Sequence, residues 1–90
     1  MAIKSEIAWT RPTPDGVKMH VYARRFGGEW HFHTRQRRSD PWIPLPEPPI
    51  EDWNSLLDAV RRRVPRRLFP PAEVVRIERM IRERFPDSEF

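Results

Sequence analysis

A Gly-Gly pair between two alternating runs is the feature that most constrains how this 90-residue chain can fold. The run VKMHVYARRF precedes Gly27-Gly28, and the run EWHFHTRQRR follows it. Apolar and polar side chains alternate in both runs, and glycines supply the positive φ angles that a tight two-residue turn requires. We therefore predict an antiparallel hairpin over Val17 to Arg38, in which Phe26 pairs with Glu29.

This pairing gives the hairpin two different faces. One face is mainly apolar, since it sets Ala23 opposite Phe32. The other brings basic, imidazole and phenol side chains together in three cross-strand pairs: Arg24 with His31, Tyr22 with His33, and His20 with Arg35. A shift of one residue would exchange the two faces, so the turn and the alternation support the same register.

The remaining chain predicts one more strand, a connector and two helices. Alternation from Ile3 to Arg11 indicates a first strand, and the turn residues 12–16 join it to the hairpin. Five of the eleven prolines fall in DPWIPLPEPP, which predicts an extended connector that covers a sheet edge. Apolar residues at helical spacing then predict helices at about Ile50 to Arg63 and from Pro70-Pro71 to Phe85.

These segments predict a single small α+β domain over residues 1–90, with a three-stranded sheet at 3–38, a Pro-rich connector at 39–49 and a helical pair at 50–85. The expected architecture is a three-stranded antiparallel β-meander with two C-terminal amphipathic helices packed on one face, β-β-β-α-α in two layers. The first and third strands would then be the sheet edges. The predicted core consists of Ile7, Trp9, Met19, Val21, Trp30, Phe32, Trp53, Leu57, Val60, Ile77, Ile81 and Phe85.

Composition excludes some classes of site. The chain has no cysteine, so it has no disulfide framework, no thiolate metal site and no cysteine nucleophile. The stretch MAIKSEIAW lacks the apolar core of a signal peptide, and no run reaches the ~18 apolar residues of a membrane span. We expect a cytoplasmic protein that does not interact with membranes.

The positive charge is concentrated in the first part of the chain. Residues 1–39 carry eight basic and three acidic side chains, whereas residues 40–90 carry nine arginines and ten acidic residues. The predicted sheet therefore supplies the whole surplus of +4, which suggests an anionic partner. Arginine outnumbers lysine 15 to 2. Arginine suits phosphate and aromatic stacking better than lysine does, although a GC-rich coding sequence would produce the same bias.

Nucleic acid is the first specific partner that these residues suggest. Aromatic and imidazole rings beside cations form a platform on which bases stack while phosphates are neutralised. The candidate residues are Lys18, His20, Tyr22, Arg24, His31, His33, Arg35, Arg37 and Arg38. Two alternatives remain open, namely a solvated outer sheet face with no partner, and a protein-interaction or assembly module that pairs through a sheet edge.

Metal binding and catalysis have less support. His20, His31 and His33 with Glu29 would make a zinc set, but Arg24 and Arg35 among them would repel a cation. We therefore predict no metal site and no cofactor.

No residue set in the chain specifies a reaction. The sequence has no nucleophile-and-base motif and no Gly-rich phosphate loop, and Glu51, Asp52 and Asp58 are interpreted as surface acids of the first helix. We expect a non-catalytic binding module with no small-molecule substrate.

Overall fold

A computed structural model describes residues 6–26 and 28–87 of the chain. An antiparallel sheet is followed by two helices, which confirms the predicted α+β class. The contacts divide the chain into two compact units, residues 1–48 with the sheet and residues 49–90 with the helices. Three positions of the predicted first strand (Ile3, Lys4 and Ser5) and Gly27 of the hairpin turn lie outside the described residues.

The sheet contains β1 (Glu6–Pro12), β2 (Lys18–Phe26), β3 (Glu29–Arg35) and β4 (Ile43–Leu45), in that spatial order. The hairpin register is confirmed, because Phe26 pairs with Glu29 and all three predicted cross-strand pairs are present. Gly28 has a φ of 80°, in the region where a side chain is disfavoured. The glycine turn and the alternation thus determine which side chains share a face.

The fourth strand lies in the Pro-rich connector and was not predicted. It pairs antiparallel with β3, setting Ile43 opposite Thr34 and Leu45 opposite Phe32. Pro44 is tolerated because the strand has only one neighbour in the described sheet, and an edge position does not need its missing N–H. The connector does cover a sheet edge, as expected. The prediction that the third strand is an edge is wrong, since β3 lies between β2 and β4.

The apolar sheet face is buried along the middle strands and at one position of β1. Its buried side chains are Ile7, Val21, Ala23, Trp30 and Phe32. Trp9 and Met19 were predicted in the core but are only partly buried. Trp9 still contacts the core edge-on, with its ring centroid 6.1 Å from that of Phe32.

The second unit contains α1 (Ile50–Arg63) and α2 (Pro71–Arg84), within one residue of the predicted bounds. Predicted core residues of both helices are buried, and Leu56, Ala59 and Phe69 join them, whereas Phe85 is only partly buried. Arg61 of α1 donates to Glu78 of α2 with a 2.6 Å separation between Nη2 and Oε2. Among the described residues, neither helix has the length and apolar character needed to cross a membrane.

Two acidic side chains are buried in the helical unit. Asp52 in the first turn of α1 is 0 % exposed, and Glu73 in the first turn of α2 is 2 % exposed. The interpretation of Asp52 as a surface acid is therefore wrong. The positive end of the helix dipole favours a carboxylate in a first turn, and both residues have interaction partners within the protein.

The link after α1 contains an unusual backbone conformation. Arg67 has a φ of 60°, which makes it the one described non-glycine residue in the left-handed region. The N–H of Leu68 donates to the carbonyl of Arg63 at 3.1 Å, and the N–H of Arg67 donates to that of Val64 at 2.9 Å. This pair of hydrogen bonds is a Schellman motif, which usually has glycine at the left-handed position.

Candidate nucleic-acid interface

The sheet surface opposite the apolar face collects most of the candidate site residues. Alternation along β2 and pairing with β3 give them a common side. We call this surface the basic face, and define it as Lys18, His20, Tyr22, Arg24, Phe26, His31, His33 and Arg35. Strand pairing therefore brings together the predicted candidates of both strands.

A cluster of rings occupies the centre of the basic face. Tyr22 and His33 stack with their ring centroids 4.8 Å apart and their planes at 10°. The ring of Trp42, from the segment before β4, meets Tyr22 edge-on at 4.6 Å. The guanidinium carbon of Arg35 lies 4.2 Å from the centroid of Trp42, in cation–π range. This face was expected to be left to solvent or to a partner, but Trp42 of the same chain contacts its centre, edge-on to Tyr22 and against the guanidinium group of Arg35.

An open depression of about 340 Å³ lies at the hairpin-turn end of this cluster. It is lined by Tyr22, Arg24, Phe26, His31 and His33, and we call it the aromatic depression. Phe26 is 69 % exposed, and its ring centroid lies 6.2 Å from that of His31. Two rings at this end therefore face solvent beside a guanidinium group. The volume falls at the low end of the range for small-ligand sites.

A second open depression, of about 380 Å³, lies on the other side of the Tyr22–His33 pair. We call it the cationic depression after its two guanidinium groups, and its lining consists of Ala8, Trp9, Thr10, His20, Val21, Arg35, Arg38 and Trp42. The two guanidinium groups and the imidazole can bind an anionic group, and they lie beside two indole rings, those of Trp9 and Trp42. The basic face thus offers a ring-lined site and a cation-lined site in sequence along β2 and β3.

Two buried polar atoms of the basic face have no hydrogen-bond partner in the described part of the chain. They are Nδ1 of His33 and Nε of Arg35. Buried polar atoms are nearly always paired, so these two atoms are exceptions within the described residues. The two residues line the aromatic and the cationic depression, respectively.

Arg24 takes part in one ion pair that leaves it available to a ligand. Its Nε lies 3.8 Å from Oε2 of Glu6, and both side chains are more than half exposed. An exposed pair of this kind contributes at most about 1 kcal/mol, because water screens the charges. A phosphate oxygen that reaches Arg24 therefore competes with a weak partner.

Arg37 and Arg38 lie in the turn after β3, and only Arg38 lines a depression. The N–H of Arg37 donates to Oδ2 of Asp40 at 3.1 Å, and the N–H of Asp40 donates to the carbonyl of Arg37 at 3.0 Å. These bonds close the turn, in which Arg38 lines the cationic depression. Arg37 and Lys18 are exposed but line neither depression.

Two residues of the site were missed from the sequence. Phe26 continues the even-numbered alternation of β2, so its place on the basic face was readable from the strand period. Trp42 had no such signal, because its position depends on a connector that turns back to pair with β3. Both residues add aromatic surface to the basic face. The sequence prediction had placed only one aromatic side chain there, that of Tyr22.

The histidines do not form a metal site in the described part of the chain, where no three His, Asp or Glu side chains converge on a common point. His20 pairs with Arg35 across the strands, and His31 pairs with Arg24. His33 stacks on Tyr22 instead of turning towards the other two imidazoles.

No protein-family model, curated protein or solved structure matches this chain. The residues of the two depressions combine three kinds of side chain. Rings, guanidinium groups and imidazoles supply stacking surfaces, hydrogen-bond donors and positive charge, which together suit a partner that is both aromatic and anionic.

Proposed function

We propose that this chain is a non-catalytic, cytoplasmic binding module that recognises nucleic acid through the basic face. The observation that carries the proposal is the pair of depressions along β2 and β3, one lined mainly by rings and one that contains two guanidinium groups. Nucleic acid presents aromatic bases and anionic phosphates at short intervals along one chain. No other common macromolecule has both groups in alternation.

The charge distribution supports the same partner. Residues 1–39 carry a surplus of five positive charges, whereas residues 40–90 have a deficit of one. Arg24 and Arg38 extend the positive charge to both depressions. Phosphate contacts provide most of the affinity of such modules and make that affinity depend on salt.

A salt titration with charge variants tests the proposal. We expect fluorescence anisotropy to show an oligonucleotide affinity that falls linearly with salt on a double-logarithmic plot. The variant Arg24→Gln/Arg38→Gln should reduce the slope by roughly 0.7 to 0.9 for each phosphate that the protein no longer neutralises. Arg35 is left intact, because its guanidinium group contacts Trp42 and its removal would disturb the face.

The matched control removes the same charge from the helical unit. Arg66 and Arg79 are both exposed there, so Arg66→Gln/Arg79→Gln should leave the slope unchanged. Equal decreases of the slope in the two double variants would mean that net charge alone drives binding and would remove the proposed site. Absence of binding at low salt would contradict the proposal itself.

Protein interaction or assembly is the second candidate function, and one observation favours it. In the described sheet β1 has a neighbour on one side only, because β2 pairs with it and β4 lies at the opposite edge. An open strand edge can pair with a strand of another chain. The other edge of the described sheet is β4, which has only three residues and contains Pro44 without an N–H. We therefore place the assembly alternative at β1, the longer edge.

A further inference from the structure

We infer that the ligand of the basic face is single-stranded nucleic acid, with an unstacked base in the aromatic depression and a neighbouring phosphate in the cationic depression. This inference rests on the proposed function and adds the strandedness of the ligand and the direction in which it lies. The inference is based on the order of the two depressions along β2 and β3.

Phe26 provides the first step. Its ring is 69 % exposed at the end of β2, where it lines the aromatic depression together with His31. An exposed ring beside an exposed imidazole gains little for folding, yet it offers a π-face on which a base can stack. Only an unstacked base can use that face, because the faces of bases in a duplex are covered by their neighbours.

The spacing of the depressions provides the second step. Arg24 lines the aromatic depression and His20 lines the cationic one, four positions earlier on the same strand. At ~3.3 Å for each strand residue, these two positions are about 13 Å apart. A short single-stranded segment that lies along β2 and β3 spans this distance, with the Tyr22–His33 pair between its two contacts.

The guanidinium groups of the cationic depression provide the third step. Arg35 and Arg38 both line it, Arg35 as a partly buried and Arg38 as an exposed side chain. Guanidinium groups bind phosphate oxygens through short, charge-assisted hydrogen bonds. The stacking of Arg35 on Trp42 holds its guanidinium group at this site before a ligand arrives.

The test compares an unstructured oligonucleotide of about ten nucleotides with the same sequence annealed to its complement, a length within the usual site sizes of single-strand modules. We expect the single strand to bind at least about tenfold more tightly than the duplex at the same salt concentration. Phe26→Ala should weaken single-strand binding by about 5- to 150-fold, the effect expected for one stacked base, and leave duplex binding unchanged.

Two further variants separate stacking from folding. Phe26→Trp keeps a π-face and should retain the affinity for the single strand, whereas Phe26→Leu keeps an apolar side chain and should lose it. Leu68→Ala removes another exposed apolar side chain, 48 % exposed in the helical unit, and should change nothing. Circular dichroism of each variant verifies that the sheet is intact.

The outcomes test single-strand binding and nucleic-acid binding separately. Equal affinity for single strand and duplex, with no effect of Phe26→Ala, would overturn the single-strand inference and leave nucleic-acid binding standing. Full affinity in Phe26→Leu would likewise overturn stacking at this site. Failure of both probes to bind would overturn the proposed function as well.

Discussion

Arg67 has a backbone conformation that its side chain disfavours. Its φ of 60° lies in the left-handed region, which costs an L-residue roughly 1–2 kcal/mol relative to glycine. The two hydrogen bonds of the Schellman motif hold it there. We predict that Arg67→Gly raises the free energy of unfolding by about 1 kcal/mol, because glycine adopts this conformation without strain. A urea denaturation curve followed by circular dichroism measures the change.

Arg66 provides the matched control for this substitution. It is the neighbouring exposed arginine, and its φ is not positive, so Arg66→Gly adds chain entropy to the unfolded state without relieving strain. We expect this control to lower the unfolding free energy by a few tenths of a kcal/mol up to about 1 kcal/mol. If Arg67→Gly lost as much stability as the control, the backbone of Arg67 would not be strained.

At the scale of elements, local signals predicted most of the fold. The Gly-Gly turn and the alternation determined the β2–β3 register, and apolar residues at helical spacing predicted both helices to within one residue. Strand β4 could not be predicted in this way, because it has three residues, contains Pro44 and follows β3 only after residues 36–42, which carry no signal for a tight turn like Gly-Gly.

The missed strand also explains the missed part of the site. Trp42 reaches the basic face because β4 brings the connector alongside β3, so its contact with Tyr22 depends on the same nonlocal pairing. The basic face itself is built from β2 and β3, so it was readable from the period of the strands. The burial of Asp52 was missed for another reason, since an acid in a first helical turn has the same sequence pattern whether it is exposed or buried.

We predict that Trp42 stabilises the pairing of β4 with β3. Its ring contacts Tyr22 and Arg35, so Trp42→Ala removes both interactions next to a strand of only three residues. A local destabilisation of about 1–2 kcal/mol would raise amide hydrogen exchange in the β3–β4 pairing by about 5- to 30-fold, while β1–β2 amides stay protected. Hydrogen exchange followed by mass spectrometry or NMR gives this comparison.

Ile43→Ala is the control for that measurement. Ile43 belongs to β4 itself and is 57 % exposed, so its truncation removes little buried area and should have a much smaller effect. Equal exchange in Trp42→Ala and the unaltered protein would mean that backbone pairing alone holds β4 in place.

For the whole molecule, net charge divides along the same boundary as the fold. The unit at residues 1–48 carries eight basic and five acidic residues, whereas the unit at 49–90 carries nine arginines and eight acidic residues. Several arginines of the second unit are committed to partners, as Arg61 is to Glu78 and Arg62 is to Asp58 at 2.6 Å. The surplus that could attract an anionic partner therefore lies mainly in the unit with the basic face.

The oligomeric state of the whole chain separates the two candidate functions. Nucleic-acid binding through the basic face needs one copy, whereas assembly through β1 needs two. The β1 edge is a poor template for pairing, because it begins with Glu6, carries Arg11 near its end and finishes at Pro12, which lacks an N–H. We predict that the protein sediments as a monomer at micromolar concentrations, and that exchange of its β1 amides is independent of concentration. A dimer whose formation slows exchange in β1 would instead support assembly as the function. Adding a single-stranded oligonucleotide to that dimer would then show whether the basic face binds nucleic acid independently of assembly.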